Sequence, residues 1–171
     1  IVKKVLNISD EILAAANIIA RVDVSFSWAL YAKKYGAVRP QLNKSNDFEI
    51  IEGRHPSVEK THVDNFISNS CILSNKRNNI FKLITGPNMS GKSTYLRQNA
   101  LILIIAQSGG FCPAEKVKVG ICDKLFCRVG SGDELAKGNS TFMVEMIETA
   151  HILNTASEDS FVVLDEIGRG T

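Results

Sequence analysis

The stretch Phe81-Lys82-Leu83-Ile84-Thr85-Gly86-Pro87-Asn88-Met89-Ser90-Gly91-Lys92-Ser93 constrains the fold of this chain more than any other. Residues 86–93 match the phosphate-loop pattern GxxxxGK(S/T) without deviation. An apolar strand candidate, Phe81 to Thr85, leads into the loop and ends at Gly86, and a helical pattern leaves it near Lys92. The glycines let the backbone turn and bring its N–H groups against phosphate oxygens, while the helix N-terminus adds about half a positive charge at the same point. In such a loop Lys92 reaches the β- and γ-phosphates and the Ser93 hydroxyl ligates Mg²⁺. A ligand-free Gly-rich turn is the plain alternative, and the flanking strand and helix argue against it.

A second element completes the pattern. Phe161-Val162-Val163-Leu164 is continuously apolar, as a strand buried on both faces should be, and Asp165-Glu166 follow at its carboxyl end. Asp165 would hold Mg²⁺ through water, and Glu166 would polarise an attacking water as general base. Ligands of open parallel sheets bind beyond the carboxyl ends of the strands, so Gly86 and Asp165 are expected to converge there. Taken alone, Asp165-Glu166 is better read as a solvated strand end, and the phosphate loop is what turns the reading towards metal and base roles.

The rest of the chain alternates strands and helices. Phe48 to Ile51, Ser70 to Leu73, Val117 to Val119 and Lys124 to Cys127 read as strands. A helix is expected from Ser93 to about Gln107 with Leu96, Ala100, Leu103 and Ile104 inward, and another from Thr141 to Ala156 with Met143, Ile147, Ala150 and Leu153 at helical spacing. The opening segment is helical too, with Val5, Ile8, Ile12, Ala16, Ile19 and Val22 on one face, and Gly36 and Pro40 stop it. Arg39 to Asp47 turns polar and reads as a linker. The expected fold is α/β, a largely parallel sheet flanked by helices and preceded by a helical segment. Both ends read as cut from a longer chain.

Composition narrows the function. With 20 Lys and Arg against 18 Asp and Glu, the net charge of +2 is too balanced for nucleic-acid binding by bulk charge. No uninterrupted apolar run approaches the roughly 18–20 residues that span a bilayer, so a soluble, non-membrane chain is expected. Cys71, Cys112, Cys122 and Cys127 lack paired metal-site spacing and read as reduced, mostly buried cysteines.

Residues 85–98 resemble the nucleotide-binding loop of the MutS family of DNA mismatch repair ATPases. So do Ser140-Thr141-Phe142-Met143-Val144-Glu145-Met146 and Asp165-Glu166-Ile167-Gly168-Arg169-Gly170-Thr171, with Gly53-Arg54-His55-Pro56 and Asn65-Phe66-Ile67 upstream. The resemblance implies a P-loop NTPase fold of ABC-like type, with residues 1–40 as a helical lever or connector and residues 41–171 as an ATPase domain cut at its C-terminus. It implies that ATP is held in cis by Gly86, Pro87, Asn88, Met89, Ser90, Gly91, Lys92, Ser93 and Thr94. Phe66 would stack on the adenine, and Ser140 would face the γ-phosphate bound to the other subunit of a homodimer. Lys92 and Glu166 would be catalytic, and Ser93 and Asp165 would hold Mg²⁺. From the residues alone, Ser140 is an N-cap, Phe66 an apolar loop residue and Asn88 a turn former.

The implied function couples ATP binding and hydrolysis to mismatch recognition and clamp formation on DNA. Mismatched duplex DNA would engage through segments outside this chain, a MutL-type protein would be a partner, and the location would be cytoplasmic. The family also carries a γ-phosphate-sensing His and a helical dimerisation element beyond the point matched by Thr171, so weak or no turnover is expected of these residues alone. An ABC-type transport ATPase is one alternative, opposed by Lys137-Gly138-Asn139-Ser140-Thr141 where an LSGGQ-like signature would stand. A nucleotide-binding interaction module without turnover is the other.

Overall fold

The computed structural model describes residues 2, 6–61, 66–74, 79–128 and 141–168. The first helix, α1 (Ser9–Tyr35), stops where the sequence says it should: Gly36 takes φ 59° and ψ 36°, and its N–H bonds the Ala32 carbonyl. Asp10 and Glu11 in its first turn and Lys33 and Lys34 in its last complement the helix dipole. None of its residues is buried, and Ile12, Ile19 and Val22 lie exposed along it. Its 27 residues are, by length and composition, long and apolar enough to cross a bilayer. Counting uninterrupted runs misses this, because Asp10, Glu11, Arg21 and Asp23 break the run without lowering its average far.

The base of α1 is fastened to the rest of the chain. Trp28 lies so close to Gly110 that a Cβ there would meet the indole at 2.5 Å. Arg54 donates from its guanidinium to the Tyr35 carbonyl at 2.7 Å and to Glu59 Oε1 at 2.6 Å. Val38 and Cys112 exchange backbone hydrogen bonds of 2.8 Å in both directions.

Four strands form one sheet: β1 (Gln41–Asn43), β2 (Phe48–Gly53), β3 (Asn69–Leu73) and β4 (Lys116–Gly120), in the order β1-β4-β2-β3. A short helix, α2 (Val58–Thr61), lies between β2 and β3 in sequence. The β1–β4 pairing is parallel, but β2 runs antiparallel to both β4 and β3. The expectation of a largely parallel sheet is therefore corrected, since this sheet is mixed. β1 also falls inside the stretch read as a linker; polar Gln41 and Asn43 disguise a strand that needs only backbone pairing.

Helix α3 (Lys92–Gln107) covers this sheet. Phe48, Ile50, Cys71, Ile102, Leu103, Ala106, Cys112, Ala114, Val117 and Val119 form one buried cluster between them. Ala100 and Leu103 point inward as expected and Leu96 is half-buried, but Ile104 is exposed, and Gln98 and Asn99 take buried positions instead. Two of the four cysteines, Cys71 and Cys112, are buried; Cys122 is half-buried and Cys127 exposed, all four as free thiols.

The second sheet is a parallel pair, β5 (Leu125–Arg128) and β6 (Phe161–Leu164), with Arg128 opposite Leu164 at the shared carboxyl end. Phe161 stacks on Phe48 of the first sheet with ring centroids 4.6 Å apart. Only Val163 of β6 is fully buried, while Val162 and Leu164 are exposed, so one face of the strand is covered rather than two. Helix α4 (Thr141–Thr155) packs against β5 and turns Glu145 and Ile152 inward, leaving Met143, Ile147, Ala150 and Leu153 on the outside. Phe81 to Thr85, the strand expected before the phosphate loop, joins neither sheet among the described residues.

Candidate functional site

Residues 86–93 fold as a loop capped onto the start of α3. Gly91 is the N-cap in the left-handed region at φ 91°, a conformation that glycine adopts without a Cβ penalty. Met89 sits in the same region at φ 62°, which does cost a side-chain-bearing residue. Tyr95 N bonds the Gly91 carbonyl at 2.9 Å, so the first intrahelical bond is made at once. The N–H groups of the turn before it are those a helix leaves for a ligand or a cap. The cap residue supplies no side chain to take them.

Lys92 lies back along the loop. Its ammonium donates to the Gly86 carbonyl at 2.9 Å and to the Pro87 carbonyl at 2.8 Å. Ser90 Oγ lies where a Cβ on Gly86 would meet it at 3.1 Å, which favours glycine at that loop position. Asn88, Met89, Gly91, Lys92, Ser93, Thr94 and Glu166 line one cleft of about 410 Å³.

Glu166 reaches this cleft from the other element the sequence singles out. It follows β6, and Asp165 N donates to the Arg128 carbonyl at 2.8 Å, extending the β5–β6 ladder by one bond. Asp165 is buried and Glu166 exposed. Glu166 takes φ 51°, a second side-chain-bearing residue in the left-handed region at this cleft. Backbone strain of this kind concentrates at sites where geometry matters more than local stability.

The structure brings Lys92, Ser93 and Thr94 into one cleft with Glu166, whereas Gly86, expected to converge with Asp165, does not line it. Asp165 is adjacent in sequence but does not line the cleft. Phe66 is half-buried in the segment before β3 and is not part of the cleft lining. Ser140 lies outside the described residues. Among the described residues no three His, Cys, Asp or Glu side chains cluster as metal ligands. Mg²⁺ in a nucleotide site needs only one or two protein oxygens besides water and phosphate. The pair named for it, a cleft-lining hydroxyl on Ser93 and the Asp165 carboxylate beside Glu166, suits a hard cation by donor type.

Glu145 is the residue sequence reasoning passed over. It is 5% exposed, and Oε1 accepts the Gly168 N–H at 2.8 Å, so α4 holds the turn that carries Glu166. The sequence carries no signal for it, because the same helix also bears Glu148, which is exposed, and only packing against β5 tells the two acids apart.

In a mixed α/β chain, a glycine loop at the start of α3 thus shares one cleft with Glu166 at the end of β6. The MutS domain V family model matches residues 82–171, and this chain belongs to the MutS family. It is 49% identical to the DNA mismatch repair protein MutS of Thermodesulfovibrio yellowstonii, over all of this chain and 21% of that protein. It is 50% identical to the protein of the same name from Zymomonas mobilis, over all of this chain and 20% of the relative. The corresponding protein of Bartonella tribocorum is 49% identical over the same shares. The chain thus spans about a fifth of the length of the curated relatives it matches.

Proposed function

We propose that this chain is the ATP-binding and ATP-hydrolysing part of a DNA mismatch repair protein, working in a homodimer. The observation that carries the reading is that Glu166 lines the same cleft as Asn88, Met89 and Gly91 to Thr94, although more than seventy residues separate them in sequence. The family membership supports it. Residues 41–171 are the ATPase domain on this reading and residues 1–40 the connector. Arg21 and Asp23, near the middle of α1, would each cost roughly 2.5–3.5 kcal/mol at a bilayer centre, which favours a connector in a soluble, cytoplasmic protein.

The chemistry asks for positioning and charge. The N–H groups at the start of α3 and the Lys92 ammonium take the β- and γ-phosphates, in place of the loop carbonyls that Lys92 now bonds. Ser93 and Asp165 would hold Mg²⁺, which would supply charge neutralisation on the phosphate oxygens. The Glu166 carboxylate accepts a proton from the attacking water as it lines up with the γ-phosphorus. Phe66 stacks on the adenine, and Ser140 faces the nucleotide of the other subunit. Mismatched duplex DNA and a MutL-type partner engage through other parts of the full-length protein, consistent with a net charge of only +2 here.

A titration of the full-length chain with a fluorescent ATP analogue and Mg²⁺ tests this. Saturable binding lost in Lys92→Ala is expected, together with a Glu166→Gln variant that binds ATP but hydrolyses it slowly. Unchanged affinity in Lys92→Ala would sink the phosphate assignment, and normal turnover in Glu166→Gln would remove Glu166 from the mechanism.

A further inference from the structure

The end of β2 is irregular in a way the sheet alone does not require. Its register with β3 shifts between Ile50 and Gly53, and Glu52, inside that shift, takes φ 48°. A glycine would adopt this backbone freely, whereas a glutamate gives up conformational freedom to do so. What accompanies the strain is a grip by both carboxylate oxygens. Ser68 donates its hydroxyl to Glu52 Oε2, and Ser70 donates to Glu52 Oε1 at 3.1 Å. Ser70 Oγ in turn accepts the Glu52 backbone N–H at 3.0 Å. Hydrogen bonds to an ionised acceptor are stronger than neutral ones.

The gripped stretch, Ser68 to Ser70, which begins two residues after Phe66, is held from its other side as well. Gln98 of α3 is fully buried and donates Nε2 to the Asn69 carbonyl at 3.4 Å. Gly53 leaves room for that amide, since a Cβ there would come within 2.8 Å of it. Asn69 Nδ2 closes the turn on the Ile67 carbonyl at 2.9 Å. One carboxylate at the end of β2 and one amide on α3 therefore pin the residues that follow Phe66, and α3 is the helix that begins at the phosphate loop.

We propose that Glu52 is a positioning residue which, through Ser68 and Ser70, fixes the Phe66 segment relative to the N-terminus of α3 and so sets where the nucleotide base is held when the phosphates are bound. The inference rests on the nucleotide reading above and adds to it a determinant of base recognition separate from phosphate recognition.

The test uses the full-length chain and two probes, ATP and inorganic tripolyphosphate, each with Mg²⁺. Glu52→Gly suits the left-handed backbone, so it removes the carboxylate without straining the fold, and its melting temperature is recorded to confirm this. Glu52→Gly and Phe66→Ala are each expected to weaken ATP binding about tenfold, within the range of one lost base–aromatic stack, and to leave tripolyphosphate affinity unchanged within about twofold. Ser68→Ala should shift the ATP-to-tripolyphosphate ratio in the same direction by a smaller factor, and Ser68→Thr, which keeps the hydroxyl, should restore it. If Phe66→Ala shifts the ratio and Glu52→Gly does not, the positioning role is overturned while the nucleotide reading stands. If Glu52→Gly weakens both probes equally, Glu52 is only structural and the proposal is likewise overturned. If Phe66→Ala leaves the ratio at its wild-type value, the base-stacking reading fails and takes the proposal with it. A wild-type chain that binds neither probe overturns the phosphate reading itself.

Discussion

Glu145 shows how much of a site can rest on one side chain that never touches it. Its carboxylate accepts the Gly168 N–H and thereby fixes the turn in which Glu166 adopts φ 51°. Glu145→Ala leaves that N–H without its partner and frees the turn, yet it removes nothing from the phosphate loop. Turnover is expected to fall about tenfold or more, as for a displaced catalytic group, while ATP affinity stays within about twofold. Steady-state kinetics beside an equilibrium titration would read this, and an unchanged kcat would deny Glu145 its role. Gly91 offers a complementary case. A Cβ there meets nothing within 4 Å, so the only obstacle to alanine is φ 91°. Gly91→Ala is expected to destabilise the fold by about 1–2 kcal/mol, measurable by thermal or denaturant unfolding. The glycine positions of the loop were legible in the sequence, because a motif states where the backbone must turn. The left-handed Met89 and Glu166 were not, because nothing in either side chain asks for that conformation.

Elements were legible to the extent that their own residues decide them. α1 ends at Gly36 and α3 begins beside Lys92 because cap chemistry is local. The faces of α3 and α4 were harder, since several apolar stripes fit each helix and only the neighbouring layer selects one. In α4, Met143, Ile147 and Leu153 form a good stripe, yet β5 receives the side bearing Glu145 and Ile152. The join between β2 and α2 yields a prediction at this scale. His55 is buried, and its Nδ1 accepts the N–H groups of Ser57 and Val58 at 3.3 Å each. Burial, and then the Arg97 guanidinium, lower its pKa below the ordinary 6.5. A histidine depressed in the fold stabilises it above its unfolded pKa, and that contribution is lost as pH falls below 6.5 towards the folded value. Protonated Nδ1 could no longer accept either bond. The melting temperature should therefore drop between about pH 7 and pH 5, and His55→Asn, which keeps an acceptor but does not titrate, should flatten the drop. An equal drop in both proteins would assign the acid sensitivity elsewhere.

Across the whole molecule, apolar surface is distributed unevenly. The core between the four-stranded sheet and α3 is closed, whereas Ile80, Phe81 and Leu83 are 66%, 75% and 77% exposed. The sequence announces Phe81 to Thr85 as a strand, with the apolar content of one and a phosphate loop at its end. A strand, however, is completed by a neighbour, and the identity of a neighbour is not written in the strand. Here β6 pairs with β5 in parallel, and residues 81–85 join neither sheet among the described residues. Lys82 ties the segment instead to α3, donating to Tyr95 Oη at 2.9 Å. This arrangement predicts a pattern of hydrogen exchange for the 171-residue chain. The amides of Leu83, Ile84 and Thr85 should exchange quickly, through local opening rather than global unfolding, while those of Ile50, Val117 and Val119, in the ladders over the closed core, should be protected. Slow exchange at residues 83–85 would mean that they sit in a ladder after all, restoring the strand that the sequence predicts. Quick exchange there, with a protected α3, would mean that the phosphate loop is organised from its helix side, by the Gly91 cap and the α3 core packing, before any strand supports it from behind.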